Sequence, residues 1–133
     1  MLTRSRTVPS LPTAFVEARR FVREVVEGAV PPQTLDDTLL LTSELVTNAV
    51  RHVAHSTEDQ IEVAVSVDER VLRVTVRDQG PGFEPNRRSA RSQAGGWGLD
   101  LVRTLSSRWG VQRDDHGTDV WFEIDLARPA TKG

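Results

Sequence analysis

A chain of 133 residues, 38% apolar and 27% charged, has the length and composition of one globular domain with room for a real core. It contains no cysteine, which excludes disulfides, zinc–thiolate sites and thiol nucleophiles, and its net charge of −2 makes no general case for nucleic acid or an anionic membrane as partner. No apolar run approaches the roughly 18 residues of a membrane span and no signal-peptide core opens the chain, so a cytoplasmic protein is expected, with no membrane and no nucleic-acid partner.

The first dozen residues are mixed and punctuated by Pro9 and Pro12; Arg6 to Val8 is the expected edge strand of an N-terminal segment, residues 1–10. Thr13 is placed to cap a helix over Ala14–Gly28, where Phe15, Ala18, Phe21, Val22, Val25 and Val26 recur at helical spacing. Gly28 and the Pro31-Pro32 pair stop it. Thr34, with Asp37 three residues on, then reads as a capping pair for the helix that organises the chain, LLLTSELVTNAVRHV, Leu39–Val53. Its apolar stripe is Leu39, Leu45, Val46, Ala49, Val50 and Val53. Glu44, Asn48, Arg51 and His52 gather on the opposite side, because residues three, four, seven or eight apart share a helix face. A carboxylate and a carboxamide one turn apart can serve a hydrated metal ion and a reacting hydroxyl; they are equally what the wet side of an amphipathic helix looks like.

After a polar loop at 57–60, Ile61, Val63, Val65 and Val67 alternate with Glu62, Ala64 and Ser66, the pattern of a half-buried strand. Asp68-Glu69-Arg70 turns the chain into Val71–Val76, making a hairpin. The phase of that second strand puts Asp78 on the same side as Leu72, Val74 and Val76. A carboxylate pointing the way the core points is costly unless it has a donor to receive, which is the first sign of a ligand.

Asp78-Gln79-Gly80-Pro81-Gly82-Phe83 is a tight turn, and 84–94 is polar and without periodicity. Gly95-Gly96-Trp97-Gly98 opens a helix, Leu99–Ser107, with Leu99, Val102, Leu105 and Leu101 inward. Trp109–Arg113 and Thr118–Leu126 form a second hairpin around Asp114-Asp115-His116-Gly117, with Val120, Phe122, Ile124 and Leu126 on its buried face. Residues 127–133 read as a loose tail. The order helix, helix, hairpin, loop, helix, hairpin implies an α+β fold: a two-layer α/β sandwich, a mainly antiparallel mixed sheet with helices on one face.

A glycine turn before a helix can hold an anion on unpartnered backbone N–H groups, and Arg87, Arg88 and Arg91 could close over phosphates; glycines there are also ordinary turn residues. No G-x-x-x-x-G-K-[ST] occurs, and no strand leads straight into the glycines as a Rossmann fingerprint requires.

Taken together and in order, an E-x-x-x-N-x-x-x-H helix, D-x-G-x-G-F at a strand end, a polar loop and G-x-G-L opening a helix resemble the GHKL superfamily of ATPases, the Bergerat or histidine-kinase-like ATPase fold of gyrases, heat-shock ATPases, histidine kinases and mismatch-repair ATPases. Glu44-Leu45-Val46-Thr47-Asn48-Ala49-Val50-Arg51-His52 looks like the N-box, Asp78–Phe83 the G1 box, Gly96-Trp97-Gly98-Leu99 the G2 box and Gly117-Thr118 the final G-T element. The resemblance covers residues 11–126, the expected ATP-binding domain. It implies ATP and Mg²⁺ as cofactors: Glu44 as general base, Asn48 as metal ligand, and Asn48, Arg51, Asp78, Gly80, Gly82, Gly96, Trp97, Gly98, Leu99 and Thr118 around the nucleotide.

Trp97 stands where many relatives carry a polar residue and reads as packing; His52 and His55 read as ordinary polar residues, with no separate histidine-bearing dimerisation helix before them. The stretch SELVTNAVRH is similar to the anti-sigma-factor serine/threonine kinases of bacterial partner switches. That implies an anti-sigma-factor antagonist and a sigma factor as partners and allows a homodimer. A nucleotide-holding switch without phosphotransfer, or a detached histidine-kinase-type ATPase domain, are the alternatives.

Overall fold

The computed structural model describes residues 1–52, 60–78, 99–115 and 117–126. Its elements are β1 (Leu2–Pro9), α1 (Ala14–Val26), α2 (Pro32–His52), β2 (Gln60–Val67), β3 (Val71–Asp78), α3 (Leu99–Leu105), β4 (Arg108–Asp114) and β5 (Gly117–Asp125). The strands make one five-stranded sheet in the order β1-β2-β3-β5-β4, antiparallel at every pairing, so the parallel component of a mixed sheet is absent among the described residues. The helices pack on one face of it, α1 beside α2 and over β1, α2 over β3, and α3 over β4. This is the two-layer α+β architecture expected.

The alternation in the strands decides which face the helices cover. Ile61, Val63, Val65, Leu72, Val74, Val76 and Phe122 are almost wholly buried and meet Ala18, Val22, Val26, Leu41, Leu45 and Val46 of α1 and α2. On the other face, Arg73, Arg77 and Arg108 are held by Glu123, Asp119, Asp114 and Asp125. Arg73 also stacks on Trp121, 4.0 Å from the ring centre.

Several boundaries differ from expectation for local reasons. The edge strand is longer than Arg6–Val8, because β1 pairs with β2 along its whole length, from Leu2 opposite Val67 to Pro9 opposite Gln60. Thr13 stands at the N-cap of α1 but its side chain makes no capping bond, and the helix ends at Val26, two residues before Gly28, which turns the chain at φ +89. Thr34 and Asp37 are not a capping pair. The helix starts earlier, at Pro32, where the missing N–H costs nothing. Thr34 is already inside it, its carbonyl accepting from the Thr38 hydroxyl at 2.6 Å, and Asp37 accepts from the Gln33 amide at 3.0 Å.

Thr38 and Thr42 are fully buried, their hydroxyls satisfied by carbonyls of their own helix, so α2 is buried over a wider arc than its apolar stripe alone. In α3 only Val102 is fully buried and Leu101 is exposed, not inward; Leu99 and Leu105 are half-buried against the core. Ser106 and Ser107 leave the helix: the Ser107 N–H bonds to the Glu123 carbonyl, starting the run into β4. Leu126 is half-buried just past the end of β5.

Candidate functional site

One row of residues crosses the whole sheet at the end where β3 finishes. Val8 on β1 faces Ile61 on β2; Ile61 faces Asp78, Asp78 faces Thr118 on β5, and Thr118 faces Arg113 on β4. Directly opposed residues share a face, and Val8 and Ile61 show which one: the helix-covered side. The row therefore runs from apolar, through a carboxylate and a hydroxyl, to a guanidinium. The strand-phase argument for Asp78 holds, for its relative exposure is 7% on the face that carries Leu72, Val74 and Val76.

Thr118 is equally buried, and its Oγ1 has no hydrogen-bond partner among the described residues. Sequence reasoning placed Thr118 through resemblance only; its position beside Asp78 follows from β5 entering the sheet between β3 and β4.

The third buried polar group comes from α2. Asn48 is 3% exposed, and its Nδ2 is likewise without a partner. The polar face of the helix is split: Glu44 is half-buried, Asn48 is buried and Arg51, in the last turn, is exposed. Asn48 is enclosed because α2 packs both on the sheet and against α3, leaving little of its C-terminal half in water. Leu45, Val46 and Val50 around it are core. Native interiors rarely leave buried polar atoms unmatched, and each such atom calls for a partner that supplies the missing bond.

These residues fit a nucleotide with its metal ion. A buried carboxylate accepts from an exocyclic amino group, the Thr118 hydroxyl can donate or accept beside it, and the carboxamide of Asn48, turned over, offers a hard oxygen ligand to Mg²⁺. Among the described residues no group of three or more His, Asp or Glu could hold a metal by itself. Mg²⁺ is commonly held by one or two protein oxygens and the substrate phosphates, so a lone Asn is an adequate protein contribution. Leu99 opens α3 and is half-buried. Gly80, Gly82, Gly96, Trp97 and Gly98, together with Arg87, Arg88 and Arg91, lie outside the described residues. No described helix is long and apolar enough to cross a membrane.

The fold and this polar row define a histidine-kinase-like ATPase architecture. The family model for the histidine kinase-like ATPase domain matches residues 8–124, and the chain belongs to that family. Membership implies ATP binding, typically with Mg²⁺. Among solved structures, the chain is similar to the histidine kinase domain of a blue-light-activated histidine kinase from Erythrobacter litoralis, at 24% identity and a TM-score of 0.57, over 90% of this chain and 62% of that one. A second structure, of the blue-light-activated histidine kinase from the same organism, gives 27% identity and a TM-score of 0.56, over 90% of this chain and 42% of that one. The chain thus spans less than two thirds of either. A comparison with curated proteins found no match.

Proposed function

We propose that this chain is an ATP-binding anti-sigma regulatory protein with serine/threonine protein kinase activity, phosphorylating an anti-sigma-factor antagonist and sequestering a sigma factor. The observation that carries the nucleotide half of this reading is the buried Asp78–Thr118 pair, with the Thr118 hydroxyl and the Asn48 amide both unpartnered among the described residues. In this reading Asp78 accepts from the adenine amino group, Asn48 holds Mg²⁺ against the phosphates, Arg51 and the glycines Gly80, Gly82, Gly96 and Gly98 with Trp97 and Leu99 line the nucleotide, and Glu44 takes the proton of the attacking hydroxyl. Glu44 is half-buried one helical turn before Asn48, a position from which a base could serve a hydroxyl approaching metal-bound phosphate. Phosphoryl transfer asks little covalent work of a protein, so positioning and charge neutralisation are the main contributions. The partner assignment rests on the likeness of SELVTNAVRH, residues 43–52, to partner-switch kinases.

A second reading, a histidine-kinase-type ATPase domain acting on a histidine of another chain, is favoured by the histidine kinases among its structural neighbours. The acid stability of the product separates the two. With γ-labelled ATP and a candidate antagonist, the first reading expects a phosphate on serine or threonine that survives acid. A label lost in acid and retained in base would move the assignment to histidine. Nucleotide binding without transfer to any antagonist offered would leave a switch without kinase activity.

A further inference from the structure

Four arginines lie on β3 and β4, and three of them are neutralised. Arg73 bonds Glu123 at 2.8 Å, Arg77 bonds Asp119 and Asp114, and Arg108 bonds Glu123 and Asp125. All three are on the sheet face turned away from the helices. Arg113 is different in face and in pairing. Its register partner is Thr118, so it shares the helix-side face with Asp78, and it makes no ion pair or hydrogen bond with another described residue although Asp114 and Asp115 follow it in the chain. Among the described residues the helix over this strand is α3, which is seven residues or about 10 Å long against a strand that runs about 23 Å. Val111 on the same side is 37% exposed, and Arg113 is exposed.

We infer that Arg113 is a nucleotide-phosphate contact, an arginine fixed on the sheet. This rests on the reading of Asp78 and Thr118 as the adenine site. Arg113 is one strand spacing from Thr118 and two from Asp78, about 5 and 10 Å, which is within the length of a nucleotide seated on that pair. A guanidinium keeps its charge at every working pH, and its fork of donors matches phosphate oxygens. A cation unpaired among the described residues, on the row that carries Asp78 and Thr118, is thus matched to the anionic end of the same ligand.

Calorimetric titration of Mg-ATP into the wild type, Arg113→Met, Arg113→Lys and Asp78→Asn tests this. Arg113→Met keeps the length of the side chain and removes only its charge and donors; the residue is exposed and has no partner among the described residues, so urea unfolding should be unaltered. ATP affinity is expected to fall by about tenfold to a hundredfold in Arg113→Met, the size of one charge-assisted hydrogen bond, and to be partly restored in Arg113→Lys. Unchanged affinity in Arg113→Met, or a Lys variant as weak as the Met variant, overturns the inference. If the wild type itself binds no ATP, the nucleotide reading fails with it. If the wild type binds, Asp78→Asn does not and Arg113→Met binds normally, only the phosphate contact is refuted.

Discussion

Asp78 and Thr118 face each other across β3 and β5, both almost wholly buried, and the threonine hydroxyl has no partner among the described residues. A buried hydroxyl without a bond costs folding free energy, whereas an apolar group of the same shape does not. Thr118→Val should therefore leave stability to urea unchanged or raise it by up to about 1 kcal/mol, while weakening Mg-ATP binding. A variant that loses more than about 1 kcal/mol of stability would mean that the hydroxyl is satisfied in the free protein.

Glu44 is the proposed base, and its substitution separates binding from chemistry. Glu44→Gln should retain ATP affinity within about threefold and lower phosphotransfer by roughly a hundredfold to ten-thousandfold, the usual contribution of general base catalysis. The measurement is single-turnover transfer from labelled ATP beside a binding isotherm. Transfer at the wild-type rate would remove Glu44 from the reaction.

Gly110 on β4 lies under the indole of Trp121, its register partner on β5. A Cβ at Gly110 would come within 2.7 Å of Trp121 Cζ2 and 2.9 Å of its Cε2 and Nε1. The ring cannot swing freely, for Arg73 stacks on it at 4.0 Å and is itself bonded to Glu123. Gly110→Ala should cost about 1–3 kcal/mol, typical of forced overpacking. In a Trp121→Val background the same change should cost little; a double-mutant cycle in urea measures the coupling, and equal costs in both backgrounds would refute it.

Acid stability should depend on the ion network of the outer sheet face. Hydrogen bonding to Arg108 first, and then to Arg73, holds the Glu123 carboxyl below its ordinary range, and Arg108 does the same for Asp125. Carboxyls whose folded pKa is lowered contribute stability that is complete above their unfolded pKa, near pH 4, and is lost as pH falls through the lower folded value. Wild-type stability should therefore decline below about pH 5, and Glu123→Gln should flatten that decline while leaving less stability at neutral pH. Urea midpoints between about pH 3 and pH 7 decide it. Parallel pH profiles for the two proteins would exclude the network.

Much of the fold is legible in the sequence because it rests on local periodicity. The alternation in Ile61–Val67 and Val71–Val76 specifies two strands and their buried faces, and the same two-residue period carries Asp78 inward. The apolar spacing in Ala14–Val26 specifies α1 and its inner face. The same phase logic, applied to Trp109, Val111 and Arg113, puts Arg113 on the helix side of β4. The start of α2 is not marked by Thr34 and Asp37, which resemble a cap, because Pro32, two residues before Thr34, begins the helix.

The sequence by itself determined the two layers, the core faces of the strands and the inward phase of Asp78, because each depends only on which neighbours along a helix or strand share a side. Tertiary structure alone decided that β5 lies between β3 and β4, that Thr118 therefore faces Asp78 and Arg113 faces Thr118, and that Asn48 is buried although it sits on the polar side of its helix. Strand order and helix burial are set by contacts between residues far apart in the chain, and those energies have no period for a sequence to display.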